Sequence, residues 1–303
     1  MIGNEFRRYW LSAITSLHVG TGQGIGFVDL PVARERVTDW PFVPGSSVKG
    51  VVREYFDTSR APEEWLKLAF GSAGSSGAQA GAPVFADNGG GQAGALVFTD
   101  SSIVCLPIRS LYGTFAYVSA PLVLQRLSRG TAEVLPKVPE CGEAQVLLTA
   151  DSVLKATDND RVYLEDLDFD GLGSSEATVW AEYIGEALFA DDAEWKRVFK
   201  GRFLIISDNN FQFLCQTATE VNPRIRIDPK KGTVAEGAYW YEENLPAETI
   251  MSGLVWCDAS PRYTGEEMMA GLPREAVTLQ LGGHASTGHG RVSCRFSGKG
   301  GSK

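Results

Sequence analysis

The chain is poor in histidine, with three in 303 residues, and its five cysteines are an odd number with no C-x-x-C pair. Cys105, Cys141, Cys215, Cys257 and Cys294 are widely spaced, which offers no disulfide framework and reads as reduced thiols of a cytosolic protein. His284, His289 and Cys294 are close in sequence, but a structural zinc site would need a fourth ligand at a matching spacing. No local signature marks a Cys–His or Ser–His nucleophilic site. No apolar run is long enough to span a membrane, and the first residues carry no signal-peptide pattern. A cytoplasmic protein with no membrane partner is therefore expected.

Positive charge is also short. Lys and Arg number 28 against 37 Asp and Glu, a net charge of −9. Taken alone, that balance argues against nucleic acid, because phosphate binding rests on clustered cations. The charges are segregated, however. Acidic residues gather between Glu165 and Glu194, and basic ones at Arg34–Arg36, Lys49–Arg53 and Arg224–Lys231. An acidic face could leave a basic groove elsewhere. The common nucleotide motifs are missing too. Ile25 stands where a G-x-G-x-x-G loop needs its third glycine, and Val51 where a P-loop needs its lysine, so nucleotide hydrolysis has no support.

What is present is a globular composition, 44% hydrophobic and 21% charged, and strong glycine punctuation. Alternation predicts a strand from Arg7 to Val19, with Tyr9, Leu11 and Ala13 on one face and Trp10, Ser12 and Ile14 on the other. A glycine-dense loop follows to Asp29. Ser46 or Ser47 is placed to cap a helix carrying Val48, Val51, Val52, Tyr55 and Phe56 at helical spacing. Residues 71–94, rich in Gly, Ala and Ser, read as a flexible insertion. Strands are expected at Ala95–Asp100, Ile103–Ile108, Arg202–Ser207, Val277–Leu281 and Arg291–Phe296. Helices are expected at Pro121–Leu127, with Gly130 past its end, within 176–200, and at Asn210–Ala218 capped by Asp208. A basic hairpin turns at Pro229–Gly232. A second glycine loop runs from Gly282 to Gly290. Glycine loops can lie flat along a sugar–phosphate backbone and donate N–H groups to it; for one such loop alone, plain turn geometry is the favoured reading.

The ordered set of motifs carries a resemblance. His18-Val-Gly-Thr-Gly22, Val28-Asp-Leu-Pro-Val-Ala-Arg34 and Pro44-Gly-Ser-Ser-Val-Lys-Gly50 resemble the N-terminal signature of the RAMP superfamily of CRISPR proteins. Gly94-Ala-Leu-Val-Phe-Thr-Asp100, Leu106-Pro-Ile-Arg-Ser-Leu111 and Gly113-Thr-Phe-Ala-Tyr117 resemble its type III-B backbone subunits, the fourth subunit of the Cmr complex. So do Arg224-Ile-Arg-Ile-Asp228, Tyr241-Glu-Glu-Asn-Leu-Pro246 and the Gly282–Gly290 loop. Residues 72–93 depart from the pattern as a longer linker, and 158–200 match loosely.

The resemblance implies an α+β fold in a single domain, 1–303. Its core would be a ferredoxin-like, RNA-recognition-type palm, with a flexible insertion at 71–94, a helical insertion at 158–200 and a protruding β-hairpin thumb at 222–243. It implies a protein that holds a guide RNA and cuts complementary target RNA at regular intervals. Its partners would be further copies of itself in a helical filament and other Cmr-type subunits. Asp29 matches the carboxylate the family needs for cutting, as a proton acceptor or a ligand of Mg²⁺. His18 is a candidate general acid or phosphate contact. Gly20, Gly22, Gly282, Gly283, Gly288 and Gly290 would lie along RNA, Ser46, Ser47, Lys49 and Arg53 would meet phosphates, and Arg224 and Arg226 would serve the thumb. Glu242, Glu243 and Asp100 resemble charged positions near the family's cleavage site. Three alternatives stay open: a guide-binding scaffold that does not cut, the equivalent type III-A nuclease, and an α/β enzyme with a glycine-lined small-molecule pocket.

Overall fold

The structure, a computed structural model, describes residues 6–20, 22, 24, 28–72, 92–129, 134–228, 230–258 and 262–297. The first strand, β1 (Phe6–Ala13), is buried on both faces along almost its whole length. Successive side chains of a strand point to opposite sides, so β1 feeds two cores. Tyr9 and Leu11 join one apolar cluster, and Trp10 the other.

From β1 the chain passes through β2 (Phe42–Val43) into helix α1 (Gly45–Thr58), then α2 (Glu63–Phe70). Two short strands, β3 (Gly71–Ser72) and β4 (Gln92–Ala93), pair with each other. Strands β5 (Leu96–Phe98), β6 (Ser101–Arg109) and β7 (Phe115–Ser119) lead to α3 (Pro121–Ser128). Next come β8 (Gln145–Leu148), β9 (Arg161–Leu164), β10 (Leu167–Gly173), α4 (Ser175–Phe189), α5 (Ala193–Arg202), β11 (Phe203–Ile205) and α6 (Asp208–Thr217). The hairpin β12 (Glu220–Ile227) and β13 (Val234–Asn244) follows. Strand β14 (Ile250–Cys257), helix α7 (Gly265–Ala270), β15 (Val277–Gln280) and β16 (Arg291–Ser297) close the chain.

Twelve of the described strands form one mixed sheet in the order β15-β16-β1-β14-β6-β7-β11-β8-β10-β9, with β2 added to β6 and β5 to β14. Strand β1 lies antiparallel between β14 and β16. Helices α1 and α2 cover the Tyr9 side through Val48, Val52, Phe56, Trp65 and Phe70. Helix α4 covers the Trp10 side through Trp180 and Ile184, with Phe199 of α5 beside them. Hairpin β12–β13 stands apart as its own two-stranded sheet. Its register puts Ile225 opposite Tyr239 and Ile227 opposite Val234, and all four are about half exposed.

Several expectations are corrected. The first strand stops at Ala13 rather than Val19, because the N–H groups of Ile14 and Thr15 both turn to the carbonyl of Arg291. Neither Ser46 nor Ser47 caps α1; Pro44 occupies the cap position with no side-chain bond. Instead Asp100 Oδ1 accepts the Gly45 N–H at 2.8 Å. Likewise Ser207, not Asp208, caps α6, while Asp208 Oδ1 accepts the Leu122 N–H in the first turn of α3 at 2.8 Å. Both helices thus take a carboxylate from a distant segment at the end where the backbone donors are unpaired. The 158–200 segment is not helical throughout but begins with two strands: Val162, Leu164 and Phe169 of β9 and β10 turn inward and Asp168 and Asp170 outward. The middle of the 71–94 insertion, Gly130 and Pro229 lie outside the described residues.

Strand β14, at the centre of the sheet, has no expectation attached to it. Gly253 shows why its sequence matters: a Cβ there would overlap the Tyr9 phenol, whose hydroxyl donates to the Thr99 carbonyl at 2.6 Å. Gly253→Ala should lower stability by about 1–3 kcal/mol, the usual cost of overpacking a closed core, read as a shift in the denaturant midpoint at unchanged slope.

Candidate functional site

The two glycine loops meet at the end of β1. His18 O accepts the Gly283 N–H at 3.0 Å, and Gly290 N–H donates to Ser16 O at 2.9 Å. Gly282 has φ +78° and Gly290 φ +79°. At both, a Cβ would overlap a backbone carbonyl, of His18 and of Leu281 respectively, so only glycine allows this approach.

Between the loops and the N-terminal turn of α1 lies an open cavity of about 300 Å³, lined by His18, Val19, Gly20, Gly22, Leu30, Ser47, Gly282 and Gly283. The structure therefore brings His18, Gly20, Gly22, Ser47, Gly282 and Gly283 to one place from three separated stretches of sequence. His18 is buried, 8% exposed. Its Nδ1 lies 2.7 Å from the Glu243 carbonyl; a carbonyl only accepts, so Nδ1 carries the proton. Nε2 is left on the side of Gly20, where a Cβ would come within 2.7 Å of it.

Asp29 is beside this cavity but not in its lining. It is exposed, and its Oδ2 accepts the Tyr241 N–H at 2.8 Å. The next residue, Leu30, bridges to Glu242 and donates its N–H to the Tyr241 carbonyl at 3.1 Å. The Asp29 loop is in this way laid along β13, at the base of the hairpin. Among the described residues the second carboxylate oxygen of Asp29 has no partner.

Strand alternation sends Glu242 and Glu243 to opposite sides of β13. Glu243, 6% exposed, accepts from the Val32 N–H at 3.0 Å, from Arg34 at 2.5 Å and from the Thr219 hydroxyl at 2.8 Å. Glu242, fully buried, faces His284 Nε2 at 3.1 Å and Arg224 Nε at 3.4 Å. The chain's three histidines stand in a row here, with ring centroids 5.6 Å apart for His18 and His284 and 6.2 Å apart for His284 and His289.

The expected cations are mostly occupied. Lys49 is half-buried and donates to the Leu96 carbonyl at 2.7 Å; burial, then the neighbouring Arg53, push its ammonium below the ordinary lysine range. Arg53 lies 3.8 Å from Asp57. Arg224 meets Glu242 and His289. Arg226 is exposed on the hairpin, Ser46 is exposed beside the cavity, and Gly288 is exposed at φ +86°. The cavity wall is thus glycine backbone, two aliphatic residues, a hydroxyl and an imidazole rather than a basic groove. The acidic run occupies β10, α4 and the start of α5, none of which lines the cavity, and much of it is paired locally, as in Lys196–Glu186, Lys200–Glu182 and Arg161 with Asp168 and Asp170. Cys294, near the histidines in sequence, is instead a core residue of β16 whose thiol burial pushes up to about 12.

The RAMP superfamily model matches residues 10–293. The chain belongs to the RAMP superfamily. Among curated RAMP proteins it is 33% identical over 298 residues to the CRISPR system Cmr endoribonuclease Cmr4 of Pyrococcus furiosus, covering 93% of this chain and 92% of that one. The crystal structure of oligomeric Cmr4 from Pyrococcus furiosus superposes with a TM-score of 0.67 at 25% identity, covering 97% and 98% of the two chains. A chain in the cryo-EM structure of the type III-B Cmr-beta complex bound to cognate target RNA shares the fold, with a TM-score of 0.69 at 18% identity and 96% coverage of each chain.

The candidate site depends on residues that the sequence motifs do not weight equally. Glu243 anchors the Asp29 loop, Arg34 and Thr219 at once, and the consecutive glutamates of Tyr241-Glu-Glu-Asn are its sequence signal. Glu243→Ala should destabilise the fold by about 3–5 kcal/mol, the cost of stranding a partly buried cation, measured by urea unfolding.

Proposed function

We propose that this protein is the guide-RNA-binding backbone subunit of a type III-B CRISPR complex and an endoribonuclease that cuts complementary target RNA within that complex. One observation carries the reading. The glycine-lined cavity at the N-terminus of α1 adjoins an exposed carboxylate, Asp29, that the base of a protruding hairpin holds in place. A helix N-terminus and a wall of glycines without side chains let the phosphates of a guide strand approach closely without reading its bases. Sequence specificity then rests on base pairing. The relative named as an endoribonuclease, and the oligomeric and target-bound Cmr structures, support the same reading, including assembly with further copies and other Cmr-type subunits.

In this reading the chain is one domain. The ferredoxin-like palm is the part of the sheet around β1, β14 and β16 with its helices, and β12–β13 is the thumb. The thumb's half-exposed Ile225, Ile227, Val234 and Tyr239 press against the guide–target duplex and splay a target nucleotide beside Asp29. A splayed ribose can place its 2′-OH in line with its own phosphate. Asp29 is exposed and able to accept that proton, and His18, when a second proton on Nε2 makes it an imidazolium, contacts a phosphate or gives that proton to a leaving oxygen.

The residues at hand fit a Mg²⁺ ion of the loosely held kind. No group of three or more His, Cys, Asp or Glu among the described residues is arranged to cage a metal, but Mg²⁺ keeps most of its water and commonly uses one carboxylate plus substrate phosphate. Asp29 would supply that carboxylate. When bound, the ion would stabilise negative charge on the RNA.

Asp29→Asn retains an acceptor for the Tyr241 N–H and removes the charge. Target cleavage by the assembled complex should fall about 10²–10⁴-fold, the range for losing a proton acceptor, while guide affinity stays within about threefold of wild type. Unchanged cleavage with intact guide binding would make the protein a scaffold. Gly20→Ala tests the cavity: crowding of His18 Nε2 should weaken guide binding about tenfold, roughly 1.4 kcal/mol, in a filter-binding titration.

A further inference from the structure

Arg224 leaves the base of β12 and ends against the second glycine loop. Its Nη2 lies 2.8 Å from His289 Nε2 and 3.5 Å from Glu242 Oε1. An arginine has only donors, so the imidazole must accept at Nε2 and the ring must be neutral. Its proton then sits on Nδ1, which lies 3.3 Å from Ser16 Oγ. Two neighbours from different segments thus read a single tautomer. The backbone around the ring is fixed as well. The His289 carbonyl accepts from Gln280 Nε2 at 2.7 Å, and the next N–H, of Gly290, is held by Ser16 O.

We infer that His289 is a positioning residue for target cleavage: by accepting from Arg224 it latches the base of hairpin β12–β13 to the second glycine loop, and so sets where the hairpin stands over the paired RNA. This rests on the reading of the hairpin as the thumb. Protonation of Nε2 would place an N–H against a guanidinium and set two cations face to face, which opens the latch.

The groups facing His289 are Arg224 from β12, Glu242 from β13, His284 from the same loop and His18 from the first loop. Burial, then Arg224, hold the imidazole below the ordinary histidine value; Glu242 opposes them, and His284 and His18 add to the lowering. The direction follows. A histidine whose value is lowered by folding keeps its neutral contact above its unfolded value of about 6.5 and loses it as the pH falls through the folded value. The latch is closed at neutral pH and opens on the acid side.

The test uses the assembled complex with wild type, His289→Gln and His289→Ala, measuring guide affinity, single-turnover cleavage at saturating target and cut positions from about pH 5 to 8, a span set around the ordinary histidine value. A glutamine amide still accepts from Arg224 and does not titrate. His289→Gln is expected to cut near the wild-type rate at neutral pH and to lose part of the acid-side fall. His289→Ala is expected to cut about tenfold more slowly at every pH, as a misplaced group does, with less regular cut spacing and guide affinity within about threefold. In an Arg224→Ala background, His289→Ala should add nothing. Identical pH profiles for wild type and His289→Gln, or a wild-type rate and spacing in His289→Ala, would overturn the inference. A wild-type complex that binds guide and does not cut overturns the functional reading itself, and this inference with it.

Discussion

Burying two adjacent carboxylates is costly unless each meets a cation and hydrogen-bond donors, and this chain buries Glu242 and Glu243 side by side on β13. A strand sends consecutive side chains to opposite faces, so the two carboxylates turn to different sets of partners. Glu243 draws in Arg34, the Val32 N–H and Thr219; Glu242 draws in Arg224 and His284. The first glycine loop, the Asp29 segment, the second glycine loop and both strands of the hairpin are gathered around that pair. The site is assembled by the need to satisfy two buried charges, and the cavity lined by His18 and the glycines is the space left beside them.

This arrangement explains how a chain with net charge −9 can present a surface suited to RNA. The acidic stretch forms ion pairs on its own hairpin and helices, away from the cavity. The residues lining the cavity are four glycines, Val19, Leu30, Ser47 and His18, none of them acidic. Backbone donors bind phosphate through geometry and partial charge, so fewer counterions are released than with a row of lysines. Net charge is a poor guide to such a surface because backbone dipoles do not enter the count.

Much of the fold is legible in the sequence where local pattern decides it. The buried stripe Val48, Val52 and Phe56 marks α1, the Pro121 start marks α3, and the glycine loops mark the turns on which the cavity is built. What is not legible depends on distant segments. No local rule pairs Asp100 with the N-terminus of α1 or Asp208 with that of α3, since each cap comes from another part of the chain. The end of β1 at Ala13 is set by Arg291. Strand β14 escapes notice because a strand buried on both faces lacks alternation, yet Ile250-Met-Ser-Gly-Leu-Val-Trp-Cys257 is apolar enough to have signalled one. The site behaves in the same way. His18, Asp29 and the glycines stand out as motifs, whereas the fates of Lys49, Arg34 and Arg224 follow from the carbonyls and carboxylates that folding sets opposite them.

The small ladder between β3 and β4 has an architectural meaning of its own. Gly71 pairs with Ala93 and Ser72 with Gln92, and Gly94 packs so closely on Phe70 and Gly71 that a side chain there would collide with their backbone. The chain therefore leaves and re-enters the described part of the fold through a single doorway. A segment whose two ends are already joined burdens the rest of the fold only through the entropy of closing it, and that grows slowly, by about 0.6 kcal/mol for each doubling of length. Evolution is free to lengthen, shorten or re-purpose what hangs from this doorway without disturbing α1, the cavity or the sheet behind it.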